Sequence, residues 1–533
     1  TTIEQNSLIQ PFEKITAKNG LAKLLGEAGG TVPTKGEMKL LEQVFSKDFA
    51  GAMLAKRSTT KKMLDLFGDL VNVPKAMRAT ADFSAPLRQG LVPFVRHPKI
   101  GARAFKEQFK YFFNKKAYEG LQQEIQSRPT YELMRNSKLA LTDMLVGKEE
   151  EFLSKFVGKI PLVKQSERAY TGFLNKMRAD TFDYIVKKNN LMNNPVEAAG
   201  VANFINNASG RGGLGALESS AKIMNGLLFS PRLVSSRLTL LNPAYYVGLP
   251  PVARKEALQS ASALIGTGLT VLKLAEMGGA KVGKDPRSAD FGKIKIGNTR
   301  IDIWAGFQQP IRSLAQILSG KYISSTTGVE ATLGEGYKPL TRFDIATRFI
   351  ESKEAPVPSL ITKLAKGQTG FGEKINVGKE VGSLFVPMIM QDAYDLYKEG
   401  GLKDLPMVIP ASIGVGIQTY TPTPKEIVYS SNSVMSNYRK LIKQGKREEA
   451  KKLLNRNKGI RDMARQLAPT QEVINNYIKL KKDTEKNARL TAEQKKVKTD
   501  RYDQKIADLQ VKIEEKFKQV KAKKLDLQPV GAK

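Results

Sequence analysis

Near the C-terminus, apolar side chains recur at the spacing of one helix face: Tyr502, Ile506, Leu509, Ile513, Phe517 and Val520 step by 4, 3, 4, 4 and 3. A stripe of that period buries itself only when another element packs along it, so the segment reads as a long amphipathic helix that needs a partner. Asp508–Lys512 and Glu514–Lys518 add i,i+4 charge pairs on its wet side. Residues 431–490 read as shorter helices of the same kind, which makes the C-terminal region a helical hairpin or small bundle. The same period governs residues 36–56 and 102–127, and in 169–185 Tyr170, Phe173, Leu174, Met177, Phe182 and Ile185 mark one buried stripe. One place reads as β: Ile294 and Ile296 alternate with lysine, Gly297-Asn298 supplies a two-residue turn, and Ile301 and Ile303 alternate with Asp302 before Trp304.

The expected fold is therefore mainly α, an elongated multi-helix assembly with one small β-hairpin (about 293–304). Five consecutive segments follow from the loops and composition: an N-terminal helical segment (1–75), a helical core region (76–250), an apolar helix plus hairpin (251–310), a helical region with Gly/Pro-rich loops (311–425) and basic amphipathic helices (426–533).

Charge narrows the partners. With 86 Lys+Arg against 52 Asp+Glu, the 533-residue chain has a formal net charge of +34. A surplus of that size repels itself in a compact state and suits a polyanion: nucleic acid, anionic lipid or both. Residues 431–533 hold 28 basic and 13 acidic side chains, nearly half of the excess. Lys440, Lys443, Lys446, Arg447, Lys451, Lys452, Lys495, Lys496, Lys498, Lys518, Lys521, Lys523 and Lys524 are the candidate phosphate contacts. No zinc finger, RNA-recognition or helix-turn-helix pattern accompanies them, so contact with double-stranded DNA is expected to be nonspecific.

Catalytic chemistry finds little support. There is no cysteine and one histidine, which excludes disulfides, thiolate metal sites and cysteine nucleophiles and leaves His97 as the sole imidazole. There is no P-loop and no GxSxG elbow. Gly210-Arg211-Gly212-Gly213-Leu214-Gly215 satisfies GxGxxG, but it follows a helical stretch and reads as a helix C-cap and turn. His97 lies between Arg96 and Pro98 and reads as structural or partly exposed. No cofactor, metal or enzymatic activity is expected. The first residues, TTIEQNSLIQPFEKITAKNG, contain no apolar signal-peptide core.

Two stretches lack charge. Ala257–Leu272 runs 16 residues and Leu405–Pro424 runs 20, the second interrupted by Pro406, Pro410, Pro422 and Pro424. Both read either as buried core or as segments that pack in a soluble form and enter a bilayer after rearrangement. Under the second reading the candidate membrane contacts are Ala257, Leu264, Ile265, Leu269, Leu272, Leu405, Val408, Ile409, Ile413, Val415 and Ile417.

Five stretches, ADFSAPLRQGLVPFVRHP (81–98), KIPLVKQSERAYTGFLNKMRADTFDYI (159–185), LLFSPRLVSSRLTLLNPAYY (227–246), DPRSADFGKIKIGNTRIDIWAGFQQPIR (285–312) and IPASIGVGIQTY (409–420), resemble the internal virion or ejection-type region of large polyvalent proteins of tailed bacteriophages. The resemblance implies a setting rather than an active site: the interior of the virion, beside portal, tail or other ejection proteins, followed by delivery into the host envelope or cytoplasm with or before the DNA. Taken with the charge and the two apolar stretches, that setting makes a homo-oligomer lining a conduit for DNA translocation the expected function. The alternatives are a DNA-binding or packaging protein that never meets a membrane, and a processed piece of a polyprotein whose enzymatic modules lie elsewhere.

Overall fold

The computed structural model describes residues 2–6, 9, 11–25, 35–45, 74, 78, 83–142, 161–296, 299–323, 330–334, 340–367, 376–401, 405–419, 438, 441–442, 444–487 and 489–522. The fold is mainly α with a few small antiparallel strands. The chain divides into two compact units, each assembled from separated stretches of sequence: Thr1–Lys273 with Ile303–Phe307 and Ile350–Ile417, and Leu274–Asp302 with Gln308–Phe349 and Gln418–Lys533.

The first unit is helical. Its helices include α1 (Pro11–Leu25), α2 (Lys35–Phe45), α3 (Leu91–Arg96), α4 (Pro98–Phe113), α5 (Lys115–Gln126), α6 (Tyr131–Asn136), α7 (Pro161–Lys188), α8 (Pro195–Ala208), α9 (Pro231–Leu241) and α10 (Pro251–Met277, whose last turn belongs to the second unit). Proline opens α4, α8 and α9, where its missing N–H costs nothing and its fixed φ suits the first turn. The single period read over 102–127 is in fact two helices. Asn114 takes an extended backbone and its side chain accepts a hydrogen bond from Ala117 N at 3.1 Å, ending α4 and capping α5.

The stripe read in 169–185 lies on α7. Phe173, Leu174, Met177, Phe182 and Ile185 are buried there, and Phe173, Leu174 and Met177 share a core with Ala85, Ile100 and Ala104. α7 packs closely along α4 because Gly172 leaves room for a ring: a Cβ on Gly172 would stand 2.4 Å from Tyr111 Cδ2. Buried polar groups beside this core pair between elements. Arg178 donates to Ser209 Oγ (2.7 Å), Ser209 O (3.0 Å) and Ala140 O (2.9 Å), tying α7 to the end of α8. Arg128 pairs with Asp180 at 2.7 Å and Asp183 at 3.0 Å. A separate cluster of Ile3, Ile9, Ala17, Met38, Leu40 and Leu41 joins the N-terminal helices α1 and α2.

The second unit holds the strands. β1 (Lys281–Val282), β2 (Lys293–Ile296) and β3 (Thr299–Asp302) form an antiparallel sheet, with β2 and β3 paired as the hairpin reading requires. The hairpin is not isolated: the sheet order is β1-β2-β3 followed by a fourth strand, Gly416–Thr419. Two-stranded hairpins are marginal alone, and flanking strands supply the missing partners. Helix α11 (Gln308–Ser319) is pinned to the loop before β2, Gln308 donating to Ala289 O at 3.2 Å and Gln316 to Arg287 O at 2.7 Å. A second, two-stranded sheet pairs β4 (Lys321–Ile323) with β5 (Glu330–Thr332).

The C-terminal helices α12 (Arg447–Arg456), α13 (Lys458–Lys486) and α14 (Ala492–Ala522) close on one seam. Ile460, Met463, Leu467 and Ile474 of α13 bury against Ile506 and Ile513 of α14, with Leu453, Leu454 and Leu509 at the edges. The partner demanded by the C-terminal stripe is thus the preceding helix of the same chain, and Tyr502 meets Tyr477 with ring centroids 6.0 Å apart.

Candidate functional site

α10 is the described helix long and apolar enough to cross a membrane. At ~1.5 Å per residue its 27 residues extend about 40 Å, beyond the ~30 Å of a bilayer's hydrocarbon. Glu197 of α8 accepts a hydrogen bond from Val252 N (3.1 Å) and so places a carboxylate at the positive end of the helix dipole. One side of α10 is covered: Ala253, Glu256, Ala257, Ser260, Gly268 and Leu272 are buried. At Gly268 the indole of Trp304 lies so close that a Cβ there would stand 2.3 Å from the ring. The opposite side is uncovered, with Ile265 54% and Leu269 57% exposed. The candidate lipid contacts on this helix therefore divide. Ala257 and Leu272 face inward, Leu264 is half-buried, and Ile265 and Leu269 face out.

Near its N-terminal end α10 is held by charge. Glu256 Oε1 lies 2.8 Å from His97 Nε2 and accepts from Arg96 Nε at 2.9 Å, while the Tyr184 ring packs edge-on to His97 with centroids 5.0 Å apart. Burial alone pushes the Glu256 carboxyl up, but the hydrogen bond to His97 and the charges of His97 and Arg96 outweigh it and hold the group below its ordinary value. A carboxyl depressed in the folded state stabilises fully above its unfolded pKa, and that contribution is lost as pH falls through the folded value. The chain is expected to lose stability to urea between about pH 5 and pH 3 more steeply than Glu256→Gln, with Trp304 emission as the readout. Parallel curves for the two proteins would remove Glu256 from the acid response. His97, read as structural or partly exposed, is buried at the junction of α3 and α4.

The second apolar stretch is broken where its prolines stand. Leu405–Met407 forms a 3₁₀ turn, Val408–Ser412 a short helix and Gly416–Thr419 a strand, and residues 420–424 lie outside the described residues. Ile413 O accepts from Leu87 N at 3.1 Å, so this corner is stitched to the start of the first unit's core. Ile409 is 70% exposed, whereas Val408, Ile413, Val415 and Ile417 are half-buried. Leu405 lies in the 3₁₀ turn.

On the C-terminal hairpin, Lys446, Arg447, Lys451, Lys452, Lys496 and Lys498 are exposed and Lys495 is half-buried. They stand outside the apolar seam, the arrangement that lets one set of helices pack together and present cations outward. Lys518 and Lys521 belong to the last turns of α14. Lys440, Lys443, Lys523 and Lys524 lie outside the described residues.

The GxGxxG run has no strand before it. α8 ends at Ala208, Gly210 adopts φ +81°, and Gly212 N donates to Ser236 Oγ at 2.7 Å, so the loop is the helix end and turn that its sequence context suggests. Among the described residues no group of three or more His, Asp or Glu side chains is placed to hold a metal ion. The contact of Trp304 with Gly268 carries no sequence signal, since nothing local relates residues so far apart in the chain. No protein-family model, no curated protein and no solved structure matches this chain.

Proposed function

We propose that this chain is an internal virion protein of a tailed bacteriophage, packaged with the genome, ejected with it, and assembled as a homo-oligomer into a conduit for DNA across the host envelope. The observation that carries the reading is α10: a helix of membrane-spanning length keeps an apolar face in water on a chain of net charge +34. Such a face is costly unless a partner covers it at some stage. Hydrocarbon fits it in length, and Arg254, Lys255 and Lys273 near the two ends suit anionic headgroups. Conduit assembly would bring copies together in a closed ring, beside portal, tail or other ejection proteins.

The test is dye release from vesicles of phosphatidylethanolamine and phosphatidylglycerol (3:1). The chain is expected to bind them and release dye, and Ile265→Asp/Leu269→Asp to cut release by tenfold or more, because an ionised side chain at mid-bilayer costs about 3 kcal/mol each. Both positions face water, so the variant keeps its fold. No binding and no leakage by the parent chain, with or without acid or mild denaturant, overturns the membrane part.

A second reading, a DNA-binding or packaging protein that stays with the genome, is favoured by the exposed cations outside the hairpin seam. It predicts duplex affinity that falls steeply between 50 and 200 mM salt, on the order of 10³-fold for six phosphate contacts, and no effect on vesicles.

A further inference from the structure

The four-stranded sheet carries a charge pattern that its hydrogen-bond register sets. Lys281 of β1 stands directly opposite Lys295 of β2, and Lys295 directly opposite Arg300 of β3. Three cations thus form one row across three adjacent strands on one face. Directly opposite side chains have Cβ atoms ~5 Å apart, and like charges so placed destabilise a sheet. The next position along the same face is built the other way, for Lys293 lies opposite Asp302. The sheet therefore neutralises a lysine at one register position and stacks cations at the next. Asp290 pairs with Arg300, while Lys281 and Lys295 make no ion pair among the described residues. The other face is apolar, with Val282, Ile294 and Ile301 in register. On the face of the row, exposure rises along and across the strands: Lys293 is buried, Lys295 and Arg300 are half-exposed and Lys281 is exposed, so the row opens to solvent at its Lys281 end.

The geometry points to this row as a binding site for the phosphate backbone of duplex DNA. With strands ~4.8 Å apart the row covers about 10 Å, over which a duplex presents several phosphates at one charge per ~1.7 Å of axis. The Lys295 ammonium is held below its usual value, by burial first and then by the charges of Arg300 and Lys281 against the opposing pull of the Asp290 carboxylate, and an incoming phosphate adds to that pull. A solvated face kept only for solubility gains nothing from placing cations opposite one another. The inference deepens the reading of DNA as this chain's companion and rests on it, but it moves a contact from the C-terminal helices to a sheet that charge density along the sequence does not single out.

The experiment measures binding of the full chain to a 30-bp random-sequence duplex between 50 and 300 mM NaCl. Three proteins are compared: the parent chain, Lys281→Ala/Lys295→Ala, and the hairpin variant Lys451→Ala/Lys452→Ala/Lys496→Ala/Lys498→Ala. The sheet variant is expected to lower the slope of log affinity against log salt by about 2 and to weaken binding on the order of 10- to 100-fold at 0.1 M, since each phosphate contact carries a slope of ~0.9. Its melting midpoint is expected to equal or exceed that of the parent, because a like-charge contact is gone. A sheet variant that binds within twofold of the parent with an unchanged slope overturns the site, whether or not the hairpin variant is impaired. A parent chain that does not bind duplex at all overturns the DNA reading together with the site. A sheet variant that binds duplex normally and loses only adhesion to phosphatidylglycerol vesicles overturns the choice of DNA.

Discussion

Phe173→Ala is expected to destabilise the first unit by about 3–5 kcal/mol. Phe173 is fully buried on α7, packs within the cluster of Ala85, Ile100, Ala104, Leu174 and Met177, and closes on Gly90, whose Cβ position lies 2.7 Å from the ring. Removing the ring loses its burial free energy and leaves a cavity that the closely packed helices around it only partly collapse. The measurement is simplified by composition. The chain has one tryptophan, and Trp304 belongs to the first unit, where it lies on Gly268. Its emission follows that unit and is silent about the other, so a urea midpoint read by fluorescence should fall while far-UV ellipticity retains the signal of the C-terminal hairpin. A change below 1 kcal/mol would mean that α4 and α7 do not pack as described.

Arg128→Ala is expected to cost a similar amount, about 3–5 kcal/mol, for an electrostatic reason. The guanidinium is 10% exposed and joins Asp180 and Asp183 of α7 to the end of α5, with Glu124 at 2.6 Å. Without it two largely buried carboxylates face each other, supported by Lys176 at 3.2 Å from Asp180 and Arg103 at 3.5 Å. Arg128→Lys should recover only part of the loss, because a single ammonium cannot span both acids as the planar fork does. The same Trp304 readout measures both variants. An Arg128→Lys protein as stable as the parent would show that charge alone suffices there.

The parts of this fold that were legible in the sequence are those set by local period. The stripe on 169–185 and the stripe on 502–520 announce α7 and α14, since an apolar face at 3.6 residues per turn is a local property of the chain. The hairpin at 293–302 was equally local: alternation plus a Gly-Asn turn. What was not legible depends on residues brought together from afar. The strands flanking the hairpin are a two-residue piece before it and a four-residue piece more than a hundred residues later, each too short to carry a pattern of its own. The apolar stretch 257–272 could be found from sequence, but not its division into a covered and an uncovered side, because Trp304 and His97 supply the cover and the anchor. For the candidate site the same limit applies. Lysines of the C-terminal helices stand out by density, whereas the row of Lys281, Lys295 and Arg300 exists only once the register is known.

The path of the backbone through the two units has a mechanical meaning. It changes unit after Lys273, Asp302, Phe307, Phe349 and Ile417, so neither unit is one continuous length of chain. Drawn out from the C-terminus, residues 418–533 leave the second unit first, the next length, 350–417, comes from the first unit, and only then does 308–349 follow from the second. A pull on one end therefore takes from both units in alternation, and the loss of Ile350–Ile417 opens the first unit while its remaining helices are still in place. Unravelling is thus shared between the units, and neither can be complete until its most distant piece has joined: the first unit needs chain from Thr1 through Ile417, and the second needs chain from Leu274 through Lys533.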